Sequence, residues 1–360
     1  MANASAADKA ALPSGPARRS VAIAVGAFVA LALVLLPIAG RPGPAVPGIV
    51  ALFVAGLLVT EVSTSFLLLV RFRAARTWSL LVLACAFFYS GLMAVPHLLT
   101  FPGAVLVDRP LVGTSSQSTS WIYTLWIDGF ALLSLISVSL EASSGERRVA
   151  AEDVGRAVAI GLGVTAVAVL AVGVTAVLAA EWLPPLVNGP GWTNLSLVAS
   201  WLAVVLLAAS IAVVLSAIGE GNRLFLWLSL ALSAMAFANL LSTAGGGRFM
   251  VGWTIGRLSW LAAAGVLFVY LLLLHARDHR LLTQTRDLLR DNVADEAVGG
   301  FSHGAGTGIE AALERFVARE NVARYTRMLQ EPQDEARRQM LLKMLAQEEA
   351  RLERAGGPAR

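Results

Sequence analysis

The sequence predicts an all-α integral membrane protein with eight transmembrane helices and a short cytoplasmic helical tail. Of its 360 residues, 57% are hydrophobic and 14% are charged, whereas roughly a quarter of a soluble chain is charged. Eight long apolar runs follow one another before residue 276. Each run reaches the length of about 20 residues that a helix needs to cross ~30 Å of hydrocarbon.

The eight runs are separated by short polar connections. The predicted spans are Ser20–Gly40, Pro47–Val70, Thr77–Thr100, Ser120–Leu140, Ala157–Ala180, Leu195–Ile218, Leu224–Ala244 and Trp253–His275.

Arginine placement predicts the orientation of these spans. The connections after the even-numbered spans carry Arg71, Arg73, Arg76, Arg147, Arg148, Arg156 and Arg223. The other connections hold only Arg41, Arg109 and Arg248. Because arginine-rich connections stay in the cytoplasm, both termini should be cytoplasmic. Lys9 and Lys343 are the only lysines among 28 basic residues, which favours a high-GC bacterium and therefore its inner membrane.

The chain divides into five expected segments. Residues 1–19 form a cytoplasmic N-terminal segment, and residues 20–275 form the membrane domain. Residues 276–298 extend the last span as a cytoplasmic helix. A Gly-rich linker over 299–308 leads to a helical hairpin over 309–360, broken at Pro332.

The net charge of +4 does not indicate a nucleic-acid partner. The positive residues lie beside span ends and in the tail, where they meet anionic headgroups. The expected environment is therefore the lipid bilayer.

Four charged or amide side chains fall inside the predicted spans. Glu61 lies near the midplane of span two, and Asp128, Asn239 and Arg257 lie in spans four, seven and eight. An ionisable group there costs about 2.5–3.5 kcal/mol, so it should face the bundle interior. Arg257 can pair with Asp128 if their spans adjoin, or one carboxyl carries a proton. Hydrogen bonding between helices is the alternative role for Glu61, Asp128 and Asn239.

Aromatic residues and one histidine mark the outer ends of the spans. Trp182, Trp192 and Trp253 fit an interfacial aromatic belt. His97, beside Pro96 at the end of span three, is as consistent with a structural histidine as with a ligand-binding one.

Three stretches carry a family resemblance. They are Glu61–Phe72, Phe88–Ala104 and Gln117–Phe130. Residues 47–141 resemble the membrane-associated sensor domain (MASE) family in its fourth type, and the eight-span layout extends the likeness over residues 20–275. The positions that match the family pattern are Glu61, Thr64, His97 to Gly103, Gln117, Trp121, Tyr123, Trp126, Gly129 and Phe130. The family histidine after the second tryptophan is Ile127 here, and the proline of the pattern is Ala131.

The resemblance implies a sensory input domain. In the family it is usually fused to a histidine kinase or a diguanylate cyclase. We expect a small pocket at the outer face, with His97 and Gln117 as its polar groups and Trp121, Tyr123 and Trp126 around them. Glu61, Thr64 and Asp128 complete the candidate signal site, with Asn239 and Arg257 as polar partners inside the membrane.

No motif indicates an enzyme, a metal site or a particular cofactor. The tail is too short for a kinase and lacks a cyclase turn. The chain is therefore interpreted as a sensing module without catalytic output, relaying a signal to a cytoplasmic protein or a second copy through 309–354. The alternative is a small transporter or channel in which Glu61 and Asp128 bind a proton or cation.

Overall fold

The computed structural model describes residues 18–44, 48–106, 109–113, 115–143, 148–189, 191–218, 222–299, 315–319, 321–322, 325–326, 329 and 335–355. These residues form nine long helices and one very short strand pair. The helices are α1 (Arg18–Ala39), α2 (Ile49–Ala75), α3 (Trp78–Thr100), α4 (Ser116–Ser143), α5 (Val154–Leu178), α6 (Asn194–Ala217), α7 (Arg223–Ala244), α8 (Val251–Gly299) and α9 (Glu335–Ala355). A 3-10 turn at Ala151–Asp153 precedes α5. Strands β1 (Val187–Asn188) and β2 (Gly191–Trp192) pair antiparallel between α5 and α6.

Helices α1 to α8 are long and apolar enough to cross a membrane, which confirms the predicted eight-span integral membrane fold. The chain divides into two compact units, residues 1–275 and residues 276–360. The predicted segment 1–19 falls almost entirely outside the described residues, as do the linker 299–308 and the break at Pro332.

Neighbouring helices pack in a bundle within the first unit. Helix α2 packs on α3, α3 on α4, α4 on α6, α6 on α7, and α7 on α1, while α5 packs on α3 and α4. Helices α3 and α7 are the most enclosed, and α1 and α5 bury few residues. Val34 of α1 and Val167 of α5 are 71% and 68% exposed. Such outward apolar faces fit lipid tails, which are as apolar as the side chains themselves.

Glycines allow close helix contacts where the site is built. A β-carbon at Gly91 of α3 would lie 2.7 Å from the Val62 side chain of α2. A β-carbon at Gly256 of α8 would strike the Ala238 carbonyl of α7. Small residues at such crossings let backbones approach, so α2 meets α3 beside Glu61 and α7 meets α8 beside Arg257.

The described residues of four connections lie at one end of the bundle, which we call the loop-rich end: 40–44 and 48, 101–106, 109–113 and 115, 179–189 and 191–193, and 245–250. The Gly43 amide donates to the Phe249 carbonyl at 2.8 Å, and the Phe249 ring centre lies 6.1 Å from that of Phe101. The strand pair belongs to this end, and its isolated bridge from Gly191 to Gly247 ties it to the connection between α7 and α8.

The opposite end, which we call the arginine-rich end, is held by Glu141 of α4. Glu141 accepts hydrogen bonds from Ser79 Oγ at 2.5 Å and from Asn222 Nδ2 at 2.7 Å. The Val149 amide donates to the Arg76 carbonyl at 2.8 Å. These contacts connect α3, α4 and the start of α7.

The second unit contains helical residues 315–319, 321–322, 325–326 and 329, together with α9. Asn321 Nδ2 donates to Glu348 Oε1 at 3.3 Å, and Ala318 and Leu341 are buried. Met340 and Leu342 of α9 remain 63% and 42% exposed, so α9 presents uncovered apolar side chains.

Candidate functional site

Arg257 is the buried cation of the membrane domain. It lies two turns into α8 and is 4% exposed. Its guanidinium carbon lies 3.8 Å from the Trp253 ring centre, 4.8 Å from that of Tyr123 and 5.7 Å from that of Phe53. Trp253 precedes Arg257 by one turn, so both side chains lie on one face of the helix. Contacts of this kind stabilise a cation that has lost its water.

Aromatic contacts leave the hydrogen-bonding capacity of Arg257 largely unused. Among the described residues, Nε and Nη1 of Arg257 have no hydrogen-bond partner. A buried charged donor without a partner is costly. This arrangement is therefore typical of a site that receives a group absent from the chain itself.

His97 lies beside this cluster on α3 and is 1% exposed. Its ring centre is 5.6 Å from that of Phe101, 5.7 Å from that of Tyr123 and 5.5 Å from that of Trp126. Neither ring nitrogen has a hydrogen-bond partner within the described part of the chain. In any neutral tautomer one of these nitrogens is a donor and the other an acceptor.

Glu61 lies deeper in the bundle and is 1% exposed. Its Oε1 accepts a hydrogen bond from Trp260 Nε1 of α8 at 3.2 Å, and its Oε2 is unpartnered within the described ranges. Thr64, one turn further along α2, is fully buried. The Trp260 ring centre lies 5.1 Å from that of Trp126, with the rings tilted by 51°, so aromatic contacts join the surroundings of Glu61 to those of His97.

A cavity of about 40 Å³ opens beside His97 and Arg257. That volume, open to the centres of water-sized spheres, exceeds the ~10–15 Å³ that one water requires. Its wall also includes Tyr123, Asp128 and Asn239, together with hydroxyl side chains of α4, α6 and α7. Five of the ten candidate residues therefore line one cavity.

The remaining candidates lie elsewhere, and two of them stabilise a loop. Gln117 Nε2 donates to the Val187 carbonyl at 2.8 Å, and its Oε1 accepts from the Leu186 and Val187 amides at 2.9 and 3.3 Å. Trp121 Nε1 donates to the Pro184 carbonyl at 3.0 Å. Two of the five residues expected around the pocket, His97 and Tyr123, form its wall.

Trp126, Glu61 and Thr64 are absent from the cavity wall. Trp126 is fully buried and donates through Nε1 to Ser90 Oγ at 2.6 Å. Its ring packs edge-on against the His97 ring, with 5.5 Å between the ring centres.

Of the two alternatives that the sequence left open for Asp128, the ion pair with Arg257 is absent from the described structure. Both residues line the cavity, but no ion pair joins them in the described structure because Arg257 is held against Trp253 and Tyr123. Asn239 Nδ2 donates to the Ser200 carbonyl at 2.8 Å, connecting α7 to α6. Asn239 thus makes the kind of contact between helices that was its alternative role.

Sequence reasoning missed Arg248 and Trp253. Arg248 Nη2 donates to the Ser116 carbonyl at 3.1 Å and to Ser120 Oγ at 2.9 Å, and its guanidinium lies 5.3 Å from the Phe101 ring centre. Burial lowers the pKa of this guanidinium from its ordinary value. Trp253 is 1% exposed, so the belt assignment was wrong for it, whereas Trp182 is 89% exposed and fits the belt. The sequence offered one signal for Arg248, its position directly after the three glycines Gly245 to Gly247.

Comparison with known families decides what kind of domain surrounds this cavity. Residues 44–276 match the family MASE4, described as membrane-associated sensor, integral membrane domain. The chain belongs to the MASE4 family. The matched range begins after α1 and contains all ten candidate residues. Ile127, at the position where the family pattern has histidine, lies on the cavity wall. No curated protein and no solved structure matches the chain.

Proposed function

We propose that this MASE4 protein senses a small ligand in the cavity beside Arg257 and relays its presence through α8 to a cytoplasmic partner, without catalysis of its own. The proposal is supported chiefly by the length of one helix, α8. Helix α8 contributes Trp253, Arg257 and Trp260 to the site and continues without a break from Val251 to Gly299. A group that binds Arg257 therefore acts on the helix that leaves the membrane.

The proposed orientation follows the arginines. Arg71, Arg76, Arg148, Arg156 and Arg223 lie at the arginine-rich end of the bundle. By the positive-inside rule that end is cytoplasmic. The cavity, which is lined by residues of the loop-rich end, would then be reached from the periplasmic side of a bacterial inner membrane, with both termini in the cytoplasm.

The proposed relay depends on competing contacts of α8. Arg257 lies on the cavity wall, and Trp260, one turn later, donates to Glu61. A ligand shifts an equilibrium only if it binds two arrangements of a protein unequally. A ligand bound to Arg257 favours the position of α8 that orients the guanidinium toward it, and this position changes the bond between Trp260 and Glu61.

The proposed output is an interaction of the tail. Met340 and Leu342 of α9 and Val317 are 63%, 42% and 44% exposed. Exposed apolar residues on short helices suit pairing with a second copy or with a cytoplasmic signalling protein. The proposed contact region is 309–354.

Hydrogen exchange on the full chain in lipid nanodiscs tests the relay. Arg257→Ala alters the cavity about 35 Å along α8 from residue 281, at ~1.5 Å per residue. We expect altered exchange in residues 281–299. The matched control is Leu258→Ala, since Leu258 adjoins Arg257 but is 51% exposed. Equal exchange in both variants and the wild type would refute the relay.

Ion flux into liposomes tests the alternative function. A transporter would move protons or cations, and Glu61→Gln would abolish that movement. We expect no flux above that of empty liposomes, for the wild type as for Glu61→Gln.

A further inference from the structure

We propose that the cavity binds a small carboxylate anion through the unpartnered nitrogens of Arg257 and His97. This inference rests on the sensing function proposed above and gives the chemical class of its ligand.

The formal charges of the ionic side chains on the cavity wall do not sum to zero. Arg248 and Arg257 carry two positive charges, and Asp128 is the single acidic residue among the wall's side chains. One positive charge of the wall therefore has no acidic counterpart on the wall. Burial of an unpaired charge is costly, so the wall favours a monoanion over a cation or a neutral molecule.

The aromatic contacts of Arg257 decide where the anion can bind. The rings of Trp253, Tyr123 and Phe53 surround the guanidinium, with ring centres 3.8, 4.8 and 5.7 Å from its central carbon. A guanidinium uses its flat faces for stacking and its edge for hydrogen bonds. Nε and Nη1 carry N–H groups in the plane of the guanidinium and have no partner in the described structure. These N–H groups are therefore available to oxygen acceptors.

Further donors surround the same space. Neutral His97 offers one N–H donor, and neither of its ring nitrogens has a partner among the described residues. The wall also carries hydroxyl groups such as those of Thr119 and Ser242. Ser242 Oγ also has no partner among the described residues. Several donors around one volume suit an anion with two oxygens, each with two lone pairs, better than a single-atom anion.

The cavity volume limits the size of the anion. About 40 Å³ of space for water centres admits more than a single water and suits a small ligand. Acetate, a carboxylate with four non-hydrogen atoms, provides a probe of the chemistry. Acetamide has the same shape without the charge, and methylammonium carries the opposite charge.

Isothermal titration calorimetry of the full chain in uncharged phosphatidylcholine nanodiscs tests the proposal. We expect saturable binding of acetate, with chloride, acetamide and methylammonium each binding at least about 10-fold more weakly, as loss of a charge-assisted hydrogen bond predicts. Chloride that binds as tightly as acetate would overturn the carboxylate assignment. Binding of methylammonium without acetate, or no binding at all, would overturn the anion site.

Three variants locate the binding. Arg257→Gln should weaken acetate binding about 10-fold to 100-fold, and Arg257→Lys, which keeps the charge, should weaken it less. Asp128→Asn removes from the wall a negative charge that repels an anion, and it should tighten acetate binding by about 3-fold or more. Arg280→Gln, an exposed arginine on the same helix, is the matched control and should bind as the wild type does. Unchanged affinity in Asp128→Asn and in Arg257→Lys would refute this site even if Arg257→Gln did not fold.

Failure of the anion site can be distinguished from failure of the proposed relay. If acetate binds as expected but leaves the exchange of residues 281–299 unchanged, the anion site stands and the relay fails. If acetate does not bind while Arg257→Ala still alters that exchange, the relay stands and the ligand class is wrong.

Discussion

The guanidinium carbon of Arg257 lies 3.8 Å from the ring centre of Trp253, one turn earlier on the same helix. Both residues are at least 95% buried. A cation inside a membrane protein is usually paired with a carboxylate or lines a water-filled space. Here aromatic rings surround the cation and it lines a cavity, which makes Arg257 and Trp253 the centre of the proposed sensing site.

Replacing Trp253 should destabilise the membrane domain. Trp253→Ala removes a buried ring and exposes the Arg257 face, with an expected loss of about 3–5 kcal/mol. Trp253→Phe retains an aromatic face and should lose less. Unfolding followed by circular dichroism in detergent measures the difference. Trp182→Ala, at a position 89% exposed, should match the wild type; an equal loss there would remove the structural role of Trp253.

Glu61 should tolerate an amide better than an apolar side chain. Glu61→Gln keeps an oxygen that accepts from Trp260 Nε1, whereas Glu61→Leu leaves that buried donor unpaired. An unpaired buried donor costs about 1–3 kcal/mol. Thermal unfolding should therefore rank the wild type and Glu61→Gln above Glu61→Leu. If the leucine variant is the most stable of the three, the bond between Trp260 and Glu61 does not stabilise the bundle.

Gln117 should hold the connection between α5 and α6. Its amide makes three hydrogen bonds to Leu186 and Val187, so Gln117→Ala should speed amide exchange at those two residues. Asn188→Ala is the control, because Asn188 is exposed in the same connection. If amide exchange at Leu186 and Val187 is as slow in Gln117→Ala as in the wild type, other contacts hold the strand pair.

Reporter fusions test the proposed orientation. Positions 110 and 188 lie at the loop-rich end, so an alkaline phosphatase fused at either should be active, as expected of a periplasmic site. A fusion at residue 150, at the arginine-rich end, should be inactive. Active phosphatase at 150 with inactive enzyme at 110 and 188 would invert the topology and place the cavity in the cytoplasm.

The eight spans could be predicted because length and hydropathy alone define a membrane helix. Sequence did not define which faces turn inward, since a helix that is apolar all round carries no periodic signal. Trp253 was therefore assigned to the lipid interface although it is 1% exposed. The burial of Glu61 was expected, because an ionisable side chain is costly in lipid.

The roles of individual polar residues depended on partners far along the chain. Gln117 binds residues about 70 positions later, and Trp260 reaches Glu61 across 199 positions. The sequence left open whether Asp128 pairs with Arg257, and in the described structure aromatic rings surround the cation instead. Arg248 lies at the site because a turn directly before it positions it there. The sequence did not define the geometry of this turn, in which Gly246 has φ +73°.

Electron paramagnetic resonance of a label on α8 tests the central claim most directly. Cys85 is the only cysteine, so Cys85→Ala with Thr283→Cys places a single nitroxide at an exposed position of the helix. In nanodiscs, adding Arg257→Ala should change the mobility of the label about 39 Å away along α8, at ~1.5 Å per residue, and adding Leu258→Ala should not. Identical spectra for all three proteins would contradict a relay from the cavity through α8.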